Sequence, residues 1–251
     1  MLLQAAENYA CRHADAVVSI LPKVREHLEA HGMAPHKLHL IPNGTDPAEW
    51  SCEPAPLPST VADTLADLRR RGHFIVGYAG SHNMATALDT LLGAAALMRG
   101  DMVTFVLAGA GPEKERLRRR AVDEGLDNVC FLDPVAKEYV PALLASFDLA
   151  YIGLQRQPLY RFGVAPNKLI DYMMAARPVL YAIEAGNDLV TDAGCGISVT
   201  AENAAALVQG IHAMRAMDPG QRNAMGLQGR KFALEHLTYP VLGQRFLKAC
   251  A

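Results

Sequence analysis

Apolar positions along the chain alternate between two rhythms. Short continuous apolar runs give way to stretches in which apolar residues recur at helical spacing, and the alternation predicts β-α units. From His73 onward the rhythm is regular. Strands are expected at Phe74 to Ala79, Val103 to Ala108, Val129 to Leu132, Asp148 to Ile152, Val179 to Ile183 and Gly196 to Val199. Helices are expected between them, at Ala85 to Arg99, Glu113 to Glu124, Glu138 to Ser146 and Asn187 to Ala193. The helix before Val179 is the best delimited. Pro166-Asn167 offers a turn and a capping asparagine, Leu169, Ile170, Met173 and Met174 recur along one face, and Arg177-Pro178 stops it. Such alternation implies an α/β fold, a doubly wound parallel sheet of Rossmann-like type, with its ligand at the carboxyl ends of the strands. Ala201 to Ala251 reads as helical and broken at Leu237-Thr238-Tyr239-Pro240, leaving a last helix with Val241, Phe246 and Leu247 to pack back on the first segment.

The front of the chain has the same rhythm in a shorter form. A polar helix over Glu7 to His13, a strand over Ala14 to Ile20, a helix from Pro22 to Ala30 closed by Gly32, and a strand over Lys37 to Ile41 make one β-α-β unit, stopped by Pro42-Asn43-Gly44. One unit cannot cover both faces of a parallel sheet. Residues 1–47 are therefore expected to be the trailing part of a domain whose front is missing. From Asp46 the prolines 47, 54, 56 and 58 mark a linker, followed by a helix that Ser59 can cap and Gly72 ends. The expected organisation is a remnant at 1–47, a linker and helix at 48–72, the main domain at 73–235 and a C-terminal helix at 236–251.

Composition narrows the class. At 251 residues the chain can hold one large domain or two small ones. The hydrophobic share of 51% and charged share of 20% are those of an ordinary soluble protein. No apolar run approaches the ~20 residues needed to span a bilayer. Met1-Leu2-Leu3 passes at once into Gln4 and Glu7, which is not a signal-peptide pattern. A net charge of −2 gives no footprint for nucleic acid. Five widely spaced cysteines with no C-x-x-C argue against a disulfide framework or zinc site and for a reducing cytoplasm.

Candidate chemistry centres on Lys168. It falls in the first turn of its helix, where the backbone dipole disfavours a cation. Two readings fit. Lys168 can pair with Asp171 along a solvated edge, or it can join the free amides of the helix start in holding an anion, with Asp171 accepting from hydroxyls of the same ligand. Gly80, Gly109 and the Pro166-Asn167-Lys168 turn all fall at carboxyl ends of expected strands, which favours the second. Gly109-Ala110-Gly111 resembles the start of a dinucleotide fingerprint, but Lys114 stands at the third glycine position, Pro112 lacks an N–H, and Glu113 would repel phosphate. His82 beside Gly80 reads as a plain loop histidine. His27 and His31 have metal-ligand spacing on one helix, but no further ligand stands out beside them in sequence, so a solvated face is expected.

Read together, I-P-N-G-T-D (41–46), V-G-Y-A-G-S (76–81), L-D-T-L-L (88–92), V-L-A-G-A-G-P-E (106–113), A-P-N-K-L-I-D-Y-M (165–173), and A-G-N-D with A-G-C-G-I-S-V (185–188, 193–199) resemble family 4 glycosyltransferases of the GT-B fold. The resemblance is to bacterial enzymes of surface polysaccharide and O-antigen synthesis, and it covers only the rear half of a family member. It implies a donor-binding domain for a nucleotide-sugar, expected to be UDP-linked, and retaining transfer that needs no metal or other cofactor. It also implies a separate N-terminal domain or chain for the acceptor, a lipid-linked sugar at the inner face of the inner membrane.

Carried onto this chain, the resemblance makes Lys168 and Asp171 the catalytic pair. Gly80 and Ser81 would face the diphosphate and Lys168 would neutralise it. Asp171 would bind ribose or sugar hydroxyls, and Val135 would lie near the base. Asn167 and Leu169, flanking the lysine, complete the expected donor-binding set. The chain departs from the family pattern in two ways. Ser81 and Thr86 stand where many members have arginine and lysine, and Gly163 and Asp171 stand where many have two glutamates. Alone, the chain is expected to bind nucleotide-sugar weakly and to transfer nothing. A non-catalytic assembly subunit and a GT-B sugar-nucleotide epimerase are the alternatives.

Overall fold

The computed structural model describes residues 2–51 and 53–250. Cys52, counted above with the unpaired cysteines, lies outside them, and Cys11, Cys130, Cys195 and Cys250 are free thiols. The chain opens with α1 (Leu2–His13), β1 (Val17–Ser19), α2 (Arg25–Ala30) and β2 (Leu38–Leu40), and β1 and β2 form a two-stranded parallel sheet of their own. The second helix starts three residues later than Pro22 suggested. Lys23 N–H is already engaged with the Phe162 carbonyl at 2.9 Å, so the chain there serves a tertiary contact before it can coil.

After a 3-10 turn at Pro47–Trp50, α3 (Ser59–Arg70) leads into the main sheet. There β3 (Phe74–Ala79), α4 (Leu88–Leu97), β4 (Val103–Ala108), α5 (Lys114–Asp123), β5 (Val129–Leu132), α6 (Val140–Ala145), β6 (Leu149–Gly153), α7 (Asn167–Met174), β7 (Val179–Ala182), α8 (Leu189–Ala193) and β8 (Gly196–Ser198) follow in turn. All six strands are parallel, in the spatial order β5-β4-β3-β6-β7-β8. The expected α/β, doubly wound parallel sheet is the observed one. Alternate residues of each strand feed two cores: Val106 and Ala150 join Phe147, Leu169 and Met173 on one face, while Phe105 and Leu107 join Leu91, Leu92 and Leu207 on the other.

The chain reverses its direction of travel across the sheet between β3 and β6, and these two strands barely hold together. β3 pairs with β4 along its whole length, but with β6 only through Val76↔Leu149 and Gly77↔Ala150. The strands part toward their carboxyl ends, and such a switch point opens a crevice in an open α/β sheet.

Local departures from the expected helices have visible causes. The helix foreseen from Ala85 begins at Leu88, because Met84–Thr86 close a 3-10 turn and Ala87 adopts a left-handed conformation (φ 50°). The helix foreseen from Glu138 is a 3-10 turn over Lys137–Tyr139 before α6. The tail divides into α9 (Ala204–Ala216), α10 (Pro219–His236) and α11 (Tyr239–Cys250). Asp218 caps α10 through a capping box with Gln221, and Pro219 sits at the first helical position, a start signal present in the sequence that the single helical reading passed over. Pro240 likewise lies in the first turn of α11. The α11 residue Leu242 packs at Gly44, and Thr45 bridges to Thr238. Among the described residues no helix is long and apolar enough to cross a membrane.

Candidate functional site

The carboxyl ends of β3 and β4 open onto a cavity of about 420 Å³. Gly80 and Ser81 follow β3, Gly109 and Ala110 follow β4, and Val135 follows β5; Lys168, Asp171 and Tyr172 of α7 close the other side. The floor can form only from glycine. A Cβ on Gly80 would stand 2.6 Å from Lys168 Cε, and one on Gly109 would collide with the Gly80 carbonyl. Both residues also have positive φ (148°), where side chains are disfavoured. Where β3 and β6 separate, the hydroxyl of buried Tyr172 accepts from Ala79 N–H at 3.1 Å and takes over a backbone donor that the sheet leaves free.

Lys168 does not take the solvated pairing with Asp171. Among the described residues it makes no ion pair with Asp171; it crosses to the sheet, donating to the Tyr78 hydroxyl at 2.6 Å, with its ammonium 4.0 Å from the Tyr78 ring centre. Tyr78 passes its own hydrogen to the Ser81 carbonyl at 2.6 Å, which fixes the loop after β3. Burial holds the lysine down to a pKa of about 8, against the pull of Asp171. Asp171 is pushed up to about 6, first by burial and then by the negative charge of Glu49, with Lys137 and Lys168 opposing. The mostly buried cation therefore feels Asp171 only at a distance and has no ion-pair partner among the described residues. The backbone adds to this: Pro166 caps α7 with no side-chain bond, Leu169 N–H turns back to the Pro166 carbonyl at 3.1 Å, and the Asn167 and Lys168 amides have no partner among the described residues.

The expected site residues divide accordingly. Gly80, Ser81, Val135, Lys168 and Asp171 line one cavity. Asn167 does not cap the helix; it is the first helical residue, exposed, and faces a neighbouring groove. Leu169 is core, 1% exposed, with its amide already used, so neither its side chain nor its N–H reaches the cavity. His82 lies in the loop after β3, as expected, but is not open to solvent. It is fully buried between Tyr78 and Phe131, with both ring nitrogens unpartnered, and burial, aided by the charges of Lys114 and Lys168, holds its pKa down to about 4.

Tyr78 and Tyr172 were absent from the expected set because each fitted an apolar strand or helix pattern. Trp50, Glu49 and Lys137 were absent because they come from the linker and a turn. Those three line a second cavity of about 460 Å³ that shares Asp171 and Val140 with the first, and Lys137 bridges to Glu49 at 2.6 Å.

Comparison with known proteins now bears on this site. Residues 73–216 match the family model of Glycosyl transferases group 1, and residues 1–49 match that of Glycosyltransferase Family 4. The chain belongs to this glycosyltransferase family. It is 26% identical over 220 residues to WcaI of Escherichia coli K12, whose name makes it a candidate glycosyl transferase of colanic acid biosynthesis, and covers 84% of this chain and 52% of that relative. Its fold matches HepE of Anabaena, solved with UDP and glucose, with a TM-score of 0.77 at 20% identity over 99% of this chain and 66% of that one. It also matches WaaG, a glycosyltransferase involved in lipopolysaccharide biosynthesis, with a TM-score of 0.65 at 17% identity over 92% and 61%. The chain spans about half the length of WcaI and two thirds of HepE.

Family membership sharpens two features. Gly163, where the resemblance noted above would put a glutamate, has φ 95°, and a Cβ there would come within 2.6 Å of Pro22 Cδ and 2.8 Å of Asn187 Oδ1. The loop is shut against the front segment and has no space for a glutamate. Asn187 from the A-G-N-D motif accepts from Val164 N–H at 2.8 Å and returns a bond to its carbonyl at 3.1 Å, while Asn43 of I-P-N-G donates to the Ala165 carbonyl at 2.7 Å. Two of the family motifs thus work by clamping the loop that delivers Lys168.

Proposed function

We propose that this glycosyltransferase chain is the donor-binding half of a retaining enzyme that moves a hexosyl or N-acetylhexosaminyl group from a UDP-sugar in polysaccharide or glycan synthesis. The observation that carries this reading is the mostly buried Lys168 ammonium, in no ion pair among the described residues, beside two amides left without a partner there at a helix start that faces a cavity at the sheet's switch point. Diphosphate is the anion that fits, because its oxygens can take the ammonium and both N–H groups together. Gly80 and Ser81 lie along its path. Asp171, facing both cavities, accepts from ribose or sugar hydroxyls, and Val135 flanks the base. Charge building on the departing diphosphate would be stabilised by Lys168, already in place before reaction. Ser81 and Thr86 supply no cation, so Lys168 carries that role alone.

In this reading residues 1–47 end an acceptor-binding domain, 48–72 link it to the donor domain at 73–235, and 236–251 fold back across the join. The β1–β2 sheet is narrow, and Val18, Ile20 and Leu40 are 44%, 46% and 39% exposed. A parallel sheet is ordinarily covered on both faces, so the surface suits a completing N-terminal domain or chain. The names of WcaI and WaaG, given for colanic acid and lipopolysaccharide biosynthesis, support a role in glycan synthesis, and the reading adds a lipid-linked acceptor at the inner membrane face and a cytoplasmic, membrane-peripheral enzyme as the expected setting.

Calorimetric titration with UDP, GDP and UDP-GlcNAc tests the donor half of the proposal. Saturable binding of UDP in preference to GDP is expected, with no sugar transfer to lipid-linked acceptor unless the front domain is supplied. Transfer by the chain alone would overturn the division of labour, and turnover of UDP-GlcNAc without acceptor would point to an epimerase.

A further inference from the structure

Away from both cavities, the front segment brings three metal-ligating side chains together. His27 and His31 lie four positions apart on or just after α2, so their rings share one helix face with centroids 4.2 Å apart. Glu7 reaches them from α1. Its Oε1 lies 3.0 Å from His27 Nε2 and its Oε2 lies 4.0 Å from His31 Nε2. The three donor atoms all fall within 4.8 Å of one another. This is the partner that the sequence did not reveal, because it comes from a different helix.

The surroundings prepare these atoms for a cation. His31 Nδ1 sits 2.6 Å from the His27 carbonyl oxygen, which can only accept. The ring hydrogen therefore belongs on Nδ1, and Nε2 keeps its lone pair toward Glu7. Gln4 Nε2 donates to Glu7 Oε2 at 3.1 Å and steadies the carboxylate. Two imidazole nitrogens and one carboxylate oxygen are a donor set that suits zinc. A tetrahedral ion about 2.0–2.1 Å from each ligand sets them roughly 3.3 Å apart, so three donor atoms already within 4.8 Å of one another would close inward to meet it.

We propose that Glu7, His27 and His31 form a site for a zinc-class divalent cation that clasps α1 to α2. The ion replaces the hydrogen between His27 and Glu7, and a water completes its coordination. The clasp reaches the loop between β6 and α7, because the His27 ring packs 5.0 Å from the Phe162 ring and Lys23 N–H holds the Phe162 carbonyl. Binding would thus stiffen the join between the front segment and the loop that leads to α7, without touching the donor cavity.

The test uses the full chain stripped of metal, titrated with Zn²⁺ by calorimetry and with Co²⁺ by visible absorption, beside Glu7→Gln and His31→Gln. Wild type is expected to bind one ion per chain, and each variant to bind it weaker by about tenfold or more. Hydrogen exchange across α1 should slow with Zn²⁺ in wild type only. Equal Zn²⁺ affinity in wild type and His31→Gln, or α1 exchange unmoved by saturating Zn²⁺, would overturn the proposal. Circular dichroism and the metal-free unfolding midpoint check that each variant is folded, and because Glu7 and His31 lie on different segments, either variant alone can decide the outcome.

Discussion

Replacing Lys168 with methionine keeps the length and much of the packing of the side chain and removes its charge. The ammonium is mostly buried, and among the described residues its one hydrogen-bond acceptor is the Tyr78 hydroxyl. A charge-assisted hydrogen bond to phosphate is worth about 1.5–3 kcal/mol, or about 10–150-fold in UDP affinity. The structure favours the upper part of that range, since the lysine is shielded from water and Ser81 and Thr86 cannot substitute for it. A second signature separates this role from a packing role. With a pKa of about 8, roughly nine-tenths of the lysines are charged at pH 7 and about one-tenth at pH 9. UDP-glucose, whose diphosphate has no proton to lose in this range, should therefore bind wild type about tenfold more weakly at pH 9 than at pH 7. Lys168→Met should show no such slope. Calorimetry at the two pH values reads both effects. A variant within twofold of wild type, or a wild-type affinity flat across that range, would refute the assignment of Lys168 to the diphosphate.

Other outcomes follow from the same geometry. Asp171 has a folded pKa raised to about 6 from 3.8, so the folded state binds the extra proton and stability falls as pH rises from about 4 to 6, the penalty being complete above that. Asp171→Asn should raise the unfolding free energy at pH 7 by about 1–2 kcal/mol, after discounting for partial exposure, while weakening nucleotide-sugar binding; unchanged stability across pH 4–7 in wild type would count against it. Tyr172→Phe removes the acceptor of Ala79 N–H and leaves a buried donor unpaired, so chemical denaturation should show a loss of about 1–3 kcal/mol with Lys168 still present. Gly109→Ala drives a methyl group into the Gly80 carbonyl and should cost about 3 kcal/mol or more together with UDP binding; a folded, binding-competent variant would mean that the two loops are less tightly apposed than they are here.

Much of the architecture was open to reading in the linear pattern. Six apolar runs became six parallel strands because a sheet buried on both faces needs continuous apolar segments, and that need is written locally. Helix boundaries were less legible. Ala87 turns left-handed and Lys23 defers its helix because of neighbours far along the chain, and no local propensity encodes them. At the site, Gly80, Ser81, Val135, Lys168 and Asp171 could be named together from motif order and strand ends. Leu169 and Asn167 could not be sorted from Lys168 by sequence proximity, since adjacent helical residues point about 100° apart and only one of the three faces the cavity with its side chain.

The sequence by itself determined the alternation, the strand ends at which ligands gather, and the presence of one lysine in a helix's first turn. Tertiary structure alone decided which neighbour that lysine takes. Whether it would pair with Asp171 or cross to Tyr78 depended on how far β3 and β6 part above Gly77, which is a property of the packed sheet. The meeting of Glu7 with His27 and His31 likewise depended on α1 lying against α2. Charge and hydrogen-bonding capacity belong to residues, but burial and the identity of the neighbour belong to the fold, and these last two set the pKa values and the free valences from which the function is argued.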